Sequence, residues 1–216
     1  MDKATDKMTG LVFGAELNSE METLIARGSE FSLIAIDIDM LFNINRDFGH
    51  DAGDAVILLI ARHIDKLFPR PCLGFRDNRD EFEILMPGCG KEEAFLRAEE
   101  LRRLVCEEKL DYRSSGGASL QQTISVGVSA FPDDGSRPAD ILRRADSAML
   151  RAKKNGRNQV ILAREEKLIP KTSHYTQAQL EKLSLIAEKE EVGEAVLLRE
   201  ALDDLLKKYD VDRYNR

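Results

Sequence analysis

The sequence predicts an α/β fold, one mixed β-sheet sandwiched by helices, followed by a small strand-helix-helix module. Short apolar runs alternate with long amphipathic stretches as far as Ala163, two successive apolar runs flank a short polar turn, and after Ala163 strand signals give way to two helical patterns. Alternation alone suits a parallel sheet, and the hairpin makes it mixed.

"SLIAIDID", residues 32–39, reads as a buried strand ending in carboxylates. "GDAVILLIARHIDKLF" spaces Val56, Leu59, Ile60, Ile64 and Leu67 as a helix, with His63 beside the stripe as a packed or half-exposed histidine rather than a ligand. "CLGFR" and "FEILMPG" form the hairpin, "KEEAFLRAEELRRLVCEE" a long amphipathic helix with Ala94, Leu101 and Val105 inward, and "LDYRSSGGAS" a loop. "QQTISVGVSAFP" is a further strand, "RPADILRRADSAMLRAKKNG" a helix stopping at Gly156, and "NQVILA" a last strand. This places a first domain over residues 1–163, a connector over 164–170 and a tail module over 171–216.

The chain has 216 residues and a formal net charge of -7, so no global positive field draws nucleic acid or an anionic membrane surface. Cys72, Cys89 and Cys106 are odd in number and lack metal-ligand spacing, which suits reduced thiols. With no apolar leader and no run long enough for a span, a cytoplasmic protein without membrane contact is expected.

Asp37 and Asp39, at the end of the first long strand, are expected to point to opposite faces, so that only one serves a given site. Asp80, at the hairpin tip, approaches the same point if the two strands are neighbours. Two such carboxylates share divalent cations, and magnesium fills its other positions with phosphate oxygens and water.

The stretch "DIDMLFNINRDFGHDAGD" resembles the first signature of the GGDEF family, the diguanylate cyclases, D-x-D-x-F-K-x-I-N-D-x-x-G-H-x-x-G-D. "DKMTGL", "TISVGVSAF" and "ADSAMLRAKKNGRN" resemble further signatures of that family in the right order, covering residues 6 to about 163. The resemblance implies a palm-type fold in which two GTP-loaded domains make cyclic di-GMP. It implies a catalytic set of Asp37, Asp80 and Glu81, with magnesium or manganese on Asp37, the Ile38 carbonyl and Asp80. Asn45 and Asp54 would read the guanine, and Arg76, Lys153 and Arg157 would neutralise phosphate.

The sequence departs from this pattern where it matters. Phe42 stands in place of a phosphate-contacting lysine, while Leu41 and Arg46 replace an aromatic residue and an acid. Asn78 and Arg79 replace the paired glycines ahead of Asp80-Glu81-Phe82. Arginine in a left-handed turn position costs on the order of 1 to 2 kcal/mol. Its guanidinium either fills space meant for base and ribose or turns to bind phosphate, so Arg79 is itself a nucleotide-contacting candidate. "PRPC", residues 69–72, stands where the family has its R-x-x-D product-inhibition site, which is therefore expected to be absent.

Beyond the connector, Thr176 and Gln179 are spaced as a T-x-x-Q capping box, and two apolar stripes flank Gly193. The segment resembles a ribbon-helix-helix module, in which two chains pair strands into one ribbon laid in the DNA major groove. Carried over, Thr172 and His174 would face bases and Lys171 a phosphate. Residues 165–216 hold 12 acids against 9 bases, and Glu194 stands where such modules offer a helix N-terminus to phosphate.

The sequence therefore points to a cyclase-deficient binder of GTP or cyclic di-GMP with a homodimeric, DNA-binding tail acting in transcription regulation. The alternatives are an active diguanylate cyclase with the tail as dimeriser, and an interaction scaffold with an empty site.

Overall fold

A computed structural model describes residues 4–76, 80–112, 118–164, 172–189 and 193–209. The chain divides into two compact units, Met1–Glu166 and Lys167–Arg216.

In the first unit the elements run β1 (Val12–Phe13), α1 (Leu17–Ala26), β2 (Phe31–Ile38), α2 (Leu41–Phe48), α3 (His50–Leu67), β3 (Leu73–Arg76), β4 (Glu81–Pro87), α4 (Lys91–Glu107), β5 (Lys109–Tyr112), β6 (Ala118–Gln121), β7 (Ile124–Phe131), α5 (Pro138–Lys154) and β8 (Val160–Leu162). Six strands form one sheet in the order β1-β3-β4-β2-β7-β8, and β5 and β6 form a separate antiparallel pair. The central strands β3, β4, β2 and β7 run antiparallel to one another, while β1 on β3 and β8 on β7 are parallel. The mixed sheet flanked by helices is the predicted class.

Strand β2 is buried along its whole length, and its side chains alternate between two cores. Ile34, Ile36 and Ile38 face α3 and α4, packing with Val56, Ile60, Ala98 and Leu101. Phe31, Leu33 and Ala35 face α1 and α5, with Met21, Ile141, Ala145 and Met149. Helix α5 lies so close to β7 that a Cβ at Gly127 would stand 2.0 Å from the Ala145 carbonyl oxygen and 2.4 Å from the Met149 nitrogen. Glycine is what lets the backbones approach this far.

One expectation needs correction. Within residues 110–119, read as a loop, Leu110–Tyr112 belong to β5 and Ala118–Ser119 to β6, which pair in one antiparallel ladder. His63 is packed as expected, its Nε2 lying 2.7 Å from Glu108 Oε2.

The second unit contains α6 (Gln177–Lys189) and α7 (Glu194–Tyr209). The Thr176–Gln179 box forms reciprocally: the Thr176 N–H donates to Gln179 Oε1 at 2.9 Å and the Gln179 N–H to Thr176 Oγ1 at 3.3 Å. The strand expected ahead of α6 is not found among the described residues, since 172–176 carry no strand and no second ribbon strand lies beside them. A ribbon strand has no ladder to join until another strand pairs with it.

Candidate functional site

β2 runs between β4 and β7, so its last residues share their rows with both neighbours. Asp37 lies opposite Glu81 on β4 and opposite Ser125 on β7, and the Ile38 N–H donates to the Asp80 carbonyl at 3.2 Å. The strand register thus draws Asp37, Asp80 and Glu81 to one end of the sheet. From α5, Lys153 reaches the same point, with Nζ 2.7 Å from Asp37 Oδ2.

The cluster holds three acids and one cation at its centre. Burial pushes Asp37 up to about 7, Lys153 pulls against it, and the charges of Asp80 and Glu81 add to the rise. Lys153 is raised as well: burial works against its charge, but Asp37, Glu81 and Asp80 together outweigh it. The ammonium stays charged while one acid of the group is held towards its neutral form. The Asp37 carboxyl and the Ile38 and Asp80 oxygens supply hard donors with carboxylate in excess, a set that suits a divalent cation. Among the described residues no group of three or more His, Cys, Asp or Glu side chains is arranged to enclose a metal, so remaining positions would fall to carbonyl, phosphate or water oxygens.

Asn45 on α2 lies against α3 at Gly53, the residue before Asp54. Gly53 lies against the Asn45 carboxamide, and a Cβ there would come 2.0 Å from Asn45 Oδ1. Asp54 is exposed beside it. Phe42, in the first turn of α2, is 60% exposed.

Arg76 is engaged elsewhere: its Nη1 donates to Asp6 Oδ1 at 3.0 Å and approaches Met8 Sδ at 3.4 Å. Asp6 also accepts the Thr9 N–H and hydroxyl at 2.9 and 2.7 Å, and despite the opposing effect of burial these bonds and Arg76 hold its carboxyl below the usual range. The D-x-x-T spacing is the sequence sign of such a turn. Arg157, exposed and at φ 64°, lies in the turn between α5 and β8. Arg79 and Lys171 lie outside the described residues, and Thr172 and His174 are exposed in the second unit.

Asp39 corrects the expectation of opposite faces. Residues two apart share one face of a strand, and the Ser125 hydroxyl, in the row of Asp37, donates to Asp39 Oδ1 at 2.7 Å. Asp39 is 4% exposed and also accepts the Thr123 hydroxyl at 2.7 Å and the Asn158 N–H at 3.1 Å, both on Oδ2. It borders a cleft of about 520 Å³ together with Asn43, Phe48 and Arg157.

At the start of the tail's second helix, the Ser184 hydroxyl on the first helix donates to the Glu194 carboxylate. Among the described residues no helix is long and apolar enough to cross a membrane.

The family model for the diguanylate cyclase GGDEF domain matches residues 3–159, and that for a ribbon-helix-helix domain matches residues 167–210. The response regulator PleD of Caulobacter vibrioides is 34% identical over 165 residues, 73% of this chain and 35% of that protein. Diguanylate cyclase A of Treponema denticola is 33% identical over 167 residues, 74% of this chain and 44% of that protein. The chain therefore spans less than half the length of either relative. Among solved structures, the GGDEF domain of DgcB from Caulobacter crescentus in complex with c-di-GMP is similar with a TM-score of 0.68 and 28% identity, over 76% of this chain and 97% of that one. With the ordered strand end, the helix corner and the closing turn of α5 in place, the chain belongs to the GGDEF diguanylate cyclase family and carries a ribbon-helix-helix domain behind it.

Proposed function

We propose that the first unit binds a guanine nucleotide, GTP or cyclic di-GMP, through a divalent cation, turns GTP over weakly or not at all, and reports to a dimeric DNA-binding tail in transcription regulation. The observation that carries the binding half is the convergence of Asp37, Asp80, Glu81 and Lys153, three acids around one ammonium. Asp37, Asp80 and the Ile38 carbonyl would hold magnesium or manganese, with Glu81 supporting the set. When bound, the ion supplies charge neutralisation and alignment of the triphosphate. Asn45 and Asp54 would read the guanine edge, and Lys153 and Arg157 would meet phosphate. Arg76, paired with Asp6 through Nη1, would join them.

Weak turnover is supported by exposed Phe42 in the lysine position and by Asn78 and Arg79 in the glycine positions. Geometry controls rate steeply, a misplacement of about 1 Å costing roughly 100-fold. The loss of R-x-x-D at residues 69–72 leaves the main GTP site as the place for either nucleotide. For the tail, the family match supports pairing with a second copy, with Lys171, Thr172 and His174 towards DNA. Glu194 and the acidic balance of residues 165–216 favour weak, salt-sensitive contact.

The test restores the family residues in the triple variant Phe42→Lys, Asn78→Gly, Arg79→Gly and compares cyclic di-GMP formation from GTP and magnesium by chromatography. The variant is expected to exceed the wild type by about 100-fold. Equal and robust rates would establish the active cyclase instead. A mobility-shift assay at low salt tests the tail: Thr172→Ala with His174→Ala is expected to abolish binding, and a wild type that binds no DNA would remove the regulator reading.

A further inference from the structure

Asp39 is a buried carboxylate that the nucleotide reading leaves without a task. Its three bonds come from three places: Ser125 in β7, Thr123 just ahead of β7, and the backbone of Asn158 after α5. Every donor is neutral, and together they use both oxygens. A carboxylate is the side chain that accepts on both oxygens at once, whereas an amide of the same shape presents one acceptor and one donor.

The bond to Asn158 reaches a segment of unusual conformation. Among the described residues the non-glycine residues with positive φ are Met40, Arg157 and Asn158, at 58°, 64° and 46°. Met40 follows Asp39 in the chain, Asn158 is bonded to it, and Arg157 lies next to Asn158. Two successive left-handed residues persist only where the surroundings fix them. Here the Arg157 N–H donates to the Ala152 carbonyl at 2.9 Å, the Asn158 N–H to Asp39, and Arg102 Nη1 to Asn158 Oδ1 at 2.9 Å. The first bond closes the end of α5, the third anchors the turn to α4, and the bond to Asp39 ties it to the strand end that carries Asp37.

We propose that Asp39 is a positioning residue for phosphate recognition: its carboxylate clamps the turn after α5 so that the Arg157 guanidinium is presented to the phosphates of a nucleotide held at Asp37 and Lys153. The proposal rests on the nucleotide-binding reading. It assigns the two aspartates of the D-x-D signature different work on one face of the sheet, Asp37 meeting the ligand side and Asp39 holding the loop that supplies the second cation.

The test uses the full chain in four forms, wild type, Asp39→Asn, Arg157→Ala and the double variant, with calorimetric titration of GTP and of guanosine in magnesium. Amide hydrogen exchange at Asn158 is followed by NMR in the wild type and Asp39→Asn. Each single variant is expected to bind GTP about tenfold more weakly and the double variant no more weakly than either, because a charge-assisted contact to phosphate is lost once. Guanosine binding is expected to stay level throughout, and Asn158 exchange to accelerate in Asp39→Asn. Losses that multiply in the double variant, an equal loss for guanosine, or unchanged Asn158 exchange would overturn the proposal. A wild type that binds neither ligand overturns the functional reading and the ligand with it, while Asn158 exchange still decides whether the clamp exists.

Discussion

The two units treat their apolar side chains in opposite ways. In the first, Phe31, Phe75 and Phe82 are fully buried, whereas in the second Leu185 is 66% exposed and Leu202 and Leu205 about half exposed. Burial stabilises at about 25 cal/mol per Å² of apolar surface, so the first unit holds itself together and the second leaves that term uncollected. A sheet with a helix layer on each face closes on its own residues. Two helices alone have too little surface to do so, and the proposed dimer is the arrangement that would cover them. The first unit's stability therefore rests on its own buried residues, while the second unit leaves apolar side chains exposed.

The largest effect expected from breaking this contrast is at Gly127. Gly127→Ala must push α5 off β7, and urea unfolding should show a loss of about 3 kcal/mol in the first unit. Helicity lost from α6 and α7 at the same urea concentration would show that the two units do not unfold separately. Next, Leu202→Glu with Leu205→Glu should turn the proposed dimer into a monomer at micromolar concentration by sedimentation, with GTP binding unchanged. A dimer that survives both charges would place the contact elsewhere.

A smaller effect is expected from pH. In metal-free protein Asp37 is raised from about 3.8 to about 7, so its contribution to stability is fully present below 3.8 and is lost as pH rises through 7. Thermal midpoints in chelator should fall from pH 5 to pH 8, and Asp37→Asn should flatten that fall. An identical slope in the variant would put the titration on another group. The smallest effect is at the cap, where Thr176→Ala should cost about 1 kcal/mol and be visible as reduced helicity of α6.

Long, strongly patterned elements were legible in the sequence, and short or long-range features were not. β2 and β7 announce themselves as apolar runs, and α3, α4 and α5 as stripes of three or more turns. Helix α1 buries only Leu17 and Met21, too little for a period to show, and α2 is a helix of only eight residues entered through left-handed Met40. β5 and β6 have serine and glycine between them, which reads as loop chemistry whether or not a ladder forms. Within the site, the register between β2 and β4 is what sets Asp37 beside Glu81, and the hairpin, which pairs β3 with β4, leaves the neighbour of β2 open. The Arg76–Asp6 pair spans 70 residues and follows no local period. Asp39 departs from the expected opposite face because a separation of two from Asp37 puts both residues on one face.

Whether the acid–lysine cluster binds GTP without consuming it tests the proposed function most directly. A single calorimetric titration of GTP with magnesium into the wild-type chain, followed by chromatography of the recovered nucleotide, reads both halves. Saturable heat with GTP recovered unchanged is the predicted result. Absence of heat would contradict the binding site, and recovery as cyclic di-GMP would contradict the impaired turnover.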